Sequence, residues 1–154
     1  QNAKQYKYQY FMMNNIMVQH EIASSSNIKR LIEMRCLKRA ASLLGHLPYI
    51  PIKKQGQIIE LDGFCEIKLT PHTGVVQPGP GLYAACISDN AHVLLSIDSS
   101  GRLLLRSAKP LDMQIDKVYL HDFIRPYRVF RQKDRLLYQN EIDMRALKYL
   151  ERSL

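Results

Sequence analysis

The stretch VLLSIDSSGRLLLRS (93–107) limits what this chain can fold into more than any other segment. Val93, Leu95 and Ile97 alternate with Leu94, Ser96 and Asp98, which is the two-residue period of a half-buried strand. Leu103 and Leu105 resume that period, with Arg102, Leu104 and Arg106 on the opposite face. Asp98-Ser99-Ser100-Gly101 lies between the two runs. Asp and Ser favour the first positions of a type I turn, and Gly101 can take the positive φ that closes a bulged hairpin. The segment predicts a β-hairpin. It carries no catalytic group, so its value is as a landmark for the fold.

The remaining elements are placed around that hairpin. In residues 1–27, Tyr6, Tyr8 and Tyr10 alternate, while Tyr6, Tyr10, Met13 and Met17 also fall at helical spacing. A second hairpin, a helix and an unstructured extension are all open there. From Ile28 to Leu44 the spacing predicts one helix, capped by Ser26 or Asn27, striped by Leu31, Met34, Leu37, Ala41 and Leu44, and ended by Gly45. After Pro48 and Pro51 the period becomes strand-like at Gln57–Leu61, Phe64–Leu69 and Thr73–Gln77, a three-strand meander broken by Pro78-Gly79-Pro80-Gly81. Leu82 to Asn90 fits a helix or a strand, and the shared face of Leu82, Ala85 and Cys86 favours a short helix. Asp116 can cap a helix through Val118, Leu120 and Phe123, which Pro126 kinks. Tyr127 to Asp134 reads as a continuation of that helix but also fits a strand, and Glu141 to Leu154 reads as a final helix. The expected architecture is α+β: an N-terminal helix, an antiparallel twisted sheet of about five strands (meander plus hairpin) with a short helix between, and a C-terminal helix. Residues 28–154 read as one domain preceded by an extension.

Composition narrows the function classes without choosing one. The 154 residues are 46% hydrophobic and 23% charged, which is ordinary for a globular domain with a core of its own. No apolar run reaches the roughly 20 residues of a membrane helix. Tyr10 to Val18 is interrupted by Asn14 and Asn15, so it does not read as a signal peptide. Cys36, Cys65 and Cys86 are odd in number and widely spaced, as expected of reduced, buried thiols in the cytoplasm. The net charge of +8 suits nucleic acid, an acidic membrane surface or an acidic protein. Lys29, Arg30, Arg35, Lys38 and Arg39 cover much of the first helix, either as a binding face or as an ordinary solvated one. His20, His46, His72, His92 and His121 show no metal-ligand spacing, and His121-Asp122 has no second His-Asp set. No nucleophile elbow, phosphate loop or basic-aromatic strand is present. The expectation is a non-enzymatic protein without metal or cofactor.

Two segments carry a resemblance: LKRAASLLGHLPYIPIKKQGQIIELDGFCEIKLTPHTG (37–74) and LYAACISDNAHVLLSIDSSGRLLLRSAKPLD (82–112). With a Leu-Gly step after the first helix, Asn90-Ala91 after the second, a D-x-x-G turn and a Pro-Leu-Asp segment, the chain resembles the class I type III secretion chaperones, the CesT or Tir-chaperone family. The resemblance covers residues 28 to 135. It implies a cytoplasmic bacterial dimer, with itself or with a second small chaperone subunit. That dimer would hold the N-terminal region of a secreted effector or gatekeeper in a secretion-competent, partly extended state. A sheet with exposed apolar positions can do this by strand addition. By position, the resemblance makes Leu37, Leu44, Ile50, Ile52, Leu104 and Leu105 candidate client contacts, and Leu82, Tyr83, Cys86 and Ile87 candidate dimer contacts. Core packing is the alternative for each. The rival functional reading is a small basic nucleic-acid-binding or regulatory protein using the 28–44 helix face.

Overall fold

The structure, a computed structural model, describes residues 17–18, 21–22, 24–61, 63–88, 91–111, 114–126 and 145. The helices expected at Tyr127 to Asp134 and Glu141 to Leu154 lie outside the described residues, apart from Arg145, which is helical. Near the N-terminus, β1 (Met17–Val18) pairs antiparallel with β2 (Glu21–Ile22). The rest of residues 1–23 also lies outside the description.

Two helices replace the single one expected at 28–44. The first, α1 (Ser25–Glu33), is capped by Ser24, whose side chain accepts from the Asn27 N–H at 3.2 Å. The second, α2 (Leu37–Leu44), ends at Gly45 in the left-handed conformation. Between them Arg35 takes φ 65°, an unusual value for a residue with a Cβ, and the chain turns a corner. Ile28, Leu31 and Ile32 then meet Ala40, Leu43 and Leu44 in a small apolar cluster of their own.

Six antiparallel strands follow: β3 (Tyr49–Leu61), β4 (Phe64–Pro71), β5 (Gly81–Ser88), β6 (Ala91–Ile97), β7 (Leu103–Ser107) and β8 (Lys117–Pro126). The coarse α+β class holds, but the sheet closes on itself as a barrel in the order β3-β4-β7-β6-β5-β8. The landmark hairpin is β6–β7. Its turn is tied by Asp98 Oδ1, which accepts from the N–H groups of Ser100 and Arg102 at 2.9 Å and from Ser100 Oγ at 2.8 Å. Slight burial pushes the Asp98 carboxyl up, and these hydrogen bonds outweigh it, so the group sits below its ordinary value.

Two expected helices are strands. Leu82–Asn90 was expected to be helical, yet 81–88 is β5, buried on both faces from Gly81 to Cys86. A strand covered on both sides shows no alternation to read. Asp116–Phe123 was also expected to be helical and instead leads into β8. There His121 and Ile124 are extra residues relative to β5, since Ala85, Ala84, Tyr83 and Leu82 face Leu120, Asp122, Phe123 and Arg125. The bulge at His121 brings Phe123 rather than Asp122 opposite Tyr83, which gives Val118, Leu120 and Phe123 a spacing that mimics a helix. The third meander strand, expected at Thr73–Gln77, is a turn and an irregular connection that carries the chain across to β5.

The barrel interior is filled by alternate residues of every strand. Ile50, Ile67, Tyr83, Val93, Leu95, Ile97, Leu103, Leu105, Val118 and Leu120 belong to one cluster. Leu111 and Ile115 join it from the β7–β8 connection, and Leu37 joins it from α2. Among the described residues, no helix is long and apolar enough to cross a membrane.

Candidate partner-binding surface

Closure of the barrel is incomplete along β3. Only Tyr49, Ile50 and Pro51 pair with β8, opposite Tyr119, Val118 and Lys117. The Ile52 N–H then reaches Asp116 O at 2.8 Å, and Gln55 Oε1 accepts from the Ile115 N–H at 2.9 Å. Beyond that point β3 continues to Leu61 with β4 on one side, and among the described residues no strand lies on its other side. Lys53, Lys54, Gly56, Gln57, Ile58, Ile59 and Glu60 are all exposed. The result is an edge strand, a row of backbone donors and acceptors available to another chain.

The register with β4 assigns faces to these side chains. Gln55, Ile58 and Glu60 stand opposite Leu69, Ile67 and Cys65, and Ile67 and Leu69 belong to the barrel core, so these three lie on the inner face. Lys54 and Ile59 stand opposite Thr70 and Glu66, on the outer face. Glu66 is itself paired with Arg106 of β7 at 2.9 Å. Two irregularities interrupt its register with β4, one between Ile52 and Lys54 and one between Gln55 and Ile58. Ile58 and Ile59 are 36% and 47% exposed, on opposite faces of the same edge.

The residues expected to contact a client or a dimer partner are elsewhere. Leu37, Ile50, Ile52 and Leu105 belong to the barrel core, and Leu44 is buried in the helix-pair cluster. Leu104 alone of that set is on the outer face with partial exposure, beside Lys68 and Ser96. Leu82, Tyr83 and Cys86 are 1%, 0% and 7% exposed within a single chain, and the partly buried Ile87 packs against the core. From Gly81 to Cys86 the strand is buried on both faces within one chain, and Ile87 and Ser88 alone of β5 keep partial exposure. The sequence signal for the β3 edge was Ile58-Ile59. Adjacent isoleucines in a strand point to opposite faces, and in a one-sided sheet one of them must meet solvent.

The basic helix face is also rearranged. Lys29, Arg30, Lys38 and Arg39 are exposed, with Arg30 bonded to Asn27 Oδ1 at 2.8 Å and Lys38 3.6 Å from Asp122. Arg35 leaves that face altogether. Its Nε donates to Tyr83 Oη at 3.1 Å and an Nη to Pro80 O at 2.6 Å, while its guanidinium lies 4.9 Å from the Phe123 ring centre. Tyr83 Oη in turn donates to Gly79 O. Space at this clamp is tight. A Cβ on Gly79 would stand 2.9 Å from an Arg35 Nη, and one on Gly81 would stand 2.7 Å from Phe123 Cε1. Burial pushes the Tyr83 phenol up, against the pull of Arg35.

On the outer surface His92 of β6 and His121 of β8 have ring centres 5.6 Å apart. Burial lowers the His121 pKa from its ordinary 6.5, His92 lowers it further, and Asp122 opposes both. The unfolded chain therefore takes up this proton first as pH falls through about 6.5, so this contribution to stability is intact above that pH and declines below it. The urea midpoint is expected to drop between pH 7 and pH 5, and a His121→Gln variant should show a smaller drop. Equal slopes in both proteins would assign the acid sensitivity to another group. Among the described residues, no group of three or more His, Cys, Asp or Glu side chains could hold a metal ion.

No family model matches this chain, and no curated protein matches it. Among solved structures it is similar to one titled as a macrolide-efflux protein from Streptococcus pneumoniae, with a TM-score of 0.63 and 19% identity. The match covers 87% of this chain and 48% of that one, so the chain spans about half the length of the structure it matches. At this identity the likeness speaks to the fold alone.

Proposed function

We propose that this chain is a non-catalytic protein-binding module that accepts an extended segment of a partner on the free edge of β3. The carrying observation is the run from Lys53 to Glu60, whose edge away from β4 has no strand partner among the described residues and which carries an exposed isoleucine on each face. Strand addition draws affinity from main-chain hydrogen bonds and selectivity from alternate side chains, and this edge offers both. The secretion-chaperone form of the reading, in which the segment is the N-terminal region of a secreted effector or gatekeeper, rests on the residues quoted for the resemblance. Of its four expected dimer contacts on β5, Ile87 alone keeps partial exposure within a single chain, so this reading does not rely on β5 for a second subunit. The nucleic-acid alternative draws only on the exposed cations of α1 and α2, one of which is in an ion pair with Asp122.

The test is capture of partners by the full chain, with washes at moderate and then high salt, followed by hydrogen exchange on the purified complex. A protein partner that survives high salt and protects the amides of residues 53–60 is expected. Gln57 has no Cα partner on β4, so a Gln57→Pro variant should keep its melting temperature and lose the partner. Nucleic acid that leaves at high salt would support the alternative, because phosphate contacts release counterions. A protein partner retained by Gln57→Pro, with residues 53–60 unprotected, would remove β3 from the account.

A further inference from the structure

We infer that the strand seated on this edge is β3 of a second copy of the chain, paired antiparallel about a two-fold axis, an inference that rests on the reading of β3 as the binding edge. In an antiparallel pair, residues directly opposite share a face, so the faces already assigned limit the register. Lys54 and Ile59 are both on the outer face, and Gln55 and Ile58 are both on the inner face. The two-fold register that places Lys54 opposite Ile59 of the partner subunit also places Gln55 opposite the partner subunit's Ile58. It overlaps the whole exposed run, from Lys53 to Glu60. A slip of one residue would set Lys54 against Glu60 and Gln55 against Ile59, pairing outer with inner side chains at both positions.

Charge is complementary in the same register. It sets Lys53 opposite Glu60 of the partner subunit and, by symmetry, Glu60 opposite the partner subunit's Lys53. Among the described residues none of Lys53, Lys54 and Glu60 is in an ion pair within the chain. Lysines and bulges on an edge commonly discourage pairing, and Lys53 and Lys54 do so here against registers that bring them together. The register proposed is the one that separates them and answers Lys53 with an acid. Each Ile59 is then covered by the aliphatic stem of a Lys54, which keeps its ammonium in water. Such an interface is isologous and closes at two copies, because each edge is used up by its partner.

The experiment is sedimentation of the full chain over a range of concentrations at low and moderate salt, in parallel with Lys53→Glu, Glu60→Lys and the double exchange. The parent is expected to dimerise. Either single reversal should weaken the dimer by about tenfold or more, since it places two like-charged pairs at the interface, and the double exchange should restore it. A parent that stays monomeric at every concentration overturns the inference, and so does a dimer indifferent to the reversals. In either of those cases a partner lost on Gln57→Pro would leave the binding-edge reading standing, so the two can fail separately.

Discussion

Replacing Leu82 by Asp should abolish folding rather than release a folded monomer. Leu82 is 1% exposed in a strand buried on both faces, opposite Ser96 of β6 and Arg125 of β8. A carboxylate there must be desolvated or protonated, and the burial of the leucine side chain is lost as well. A loss of about 4 kcal/mol or more is expected, comparable with the total stability of many domains. Far-UV circular dichroism and gel filtration decide it. A well-folded, monodisperse Leu82→Asp protein would mean that β5 has a face at the surface, and a dimer contact at Leu82 would gain support. The same substitution at an interface residue would alter association and leave the spectrum unchanged.

Arg35→Ala should be the most damaging change outside the barrel core. It removes the donors to Tyr83 Oη and Pro80 O and the contact with the Phe123 ring, leaving the Tyr83 hydroxyl with Gly79 O as its remaining partner. Hydrogen bonds from a charged donor, together with the cation–ring contact, set the expected loss at about 2–4 kcal/mol in urea unfolding. Arg35→Gly separates side chain from backbone. It loses the same contacts but accepts φ 65° without a Cβ penalty, so it should be more stable than the alanine variant by about 1 kcal/mol. If alanine leaves the midpoint unchanged, the α1–α2 corner is held by the apolar cluster alone.

These two sites also mark where the sequence could be read and where it could not. The β6–β7 hairpin was legible because one face is dry, one is partly wet, and its turn residues act locally through Asp98 and Gly101. The β5 strand was not, since Leu82, Ala84 and Cys86 are as buried as Tyr83 and Ala85, and continuous burial erases the period. In β8 the period is present but the bulge at His121 shifts its phase. The break at Arg35 was hidden because neither Gly nor Pro marks it, and Arg35 looked like one more cation on a basic face. Its partners lie 45 and 48 residues away, at Pro80 and Tyr83. The β3 edge was half visible. Gln57 to Leu61 read as a strand, but a free edge is defined by what does not pair with it, which depends on barrel closure.

That closure has a dynamic consequence. The seam between β3 and β8 consists of three Cα pairs, fewer than any other ladder of the barrel, and it joins residues 49–51 to residues 117–119. Every other neighbouring pair can zip while the seam is still apart, so the last step of folding is to bring the two outermost strands of a curled sheet together. Once formed, the same ladder is the first to part, with its hydrogen bonds opening at lower free energy than those of β5 and β6. The barrel is therefore a sheet with a latch, and the latch lies at the root of the one strand that reaches beyond it.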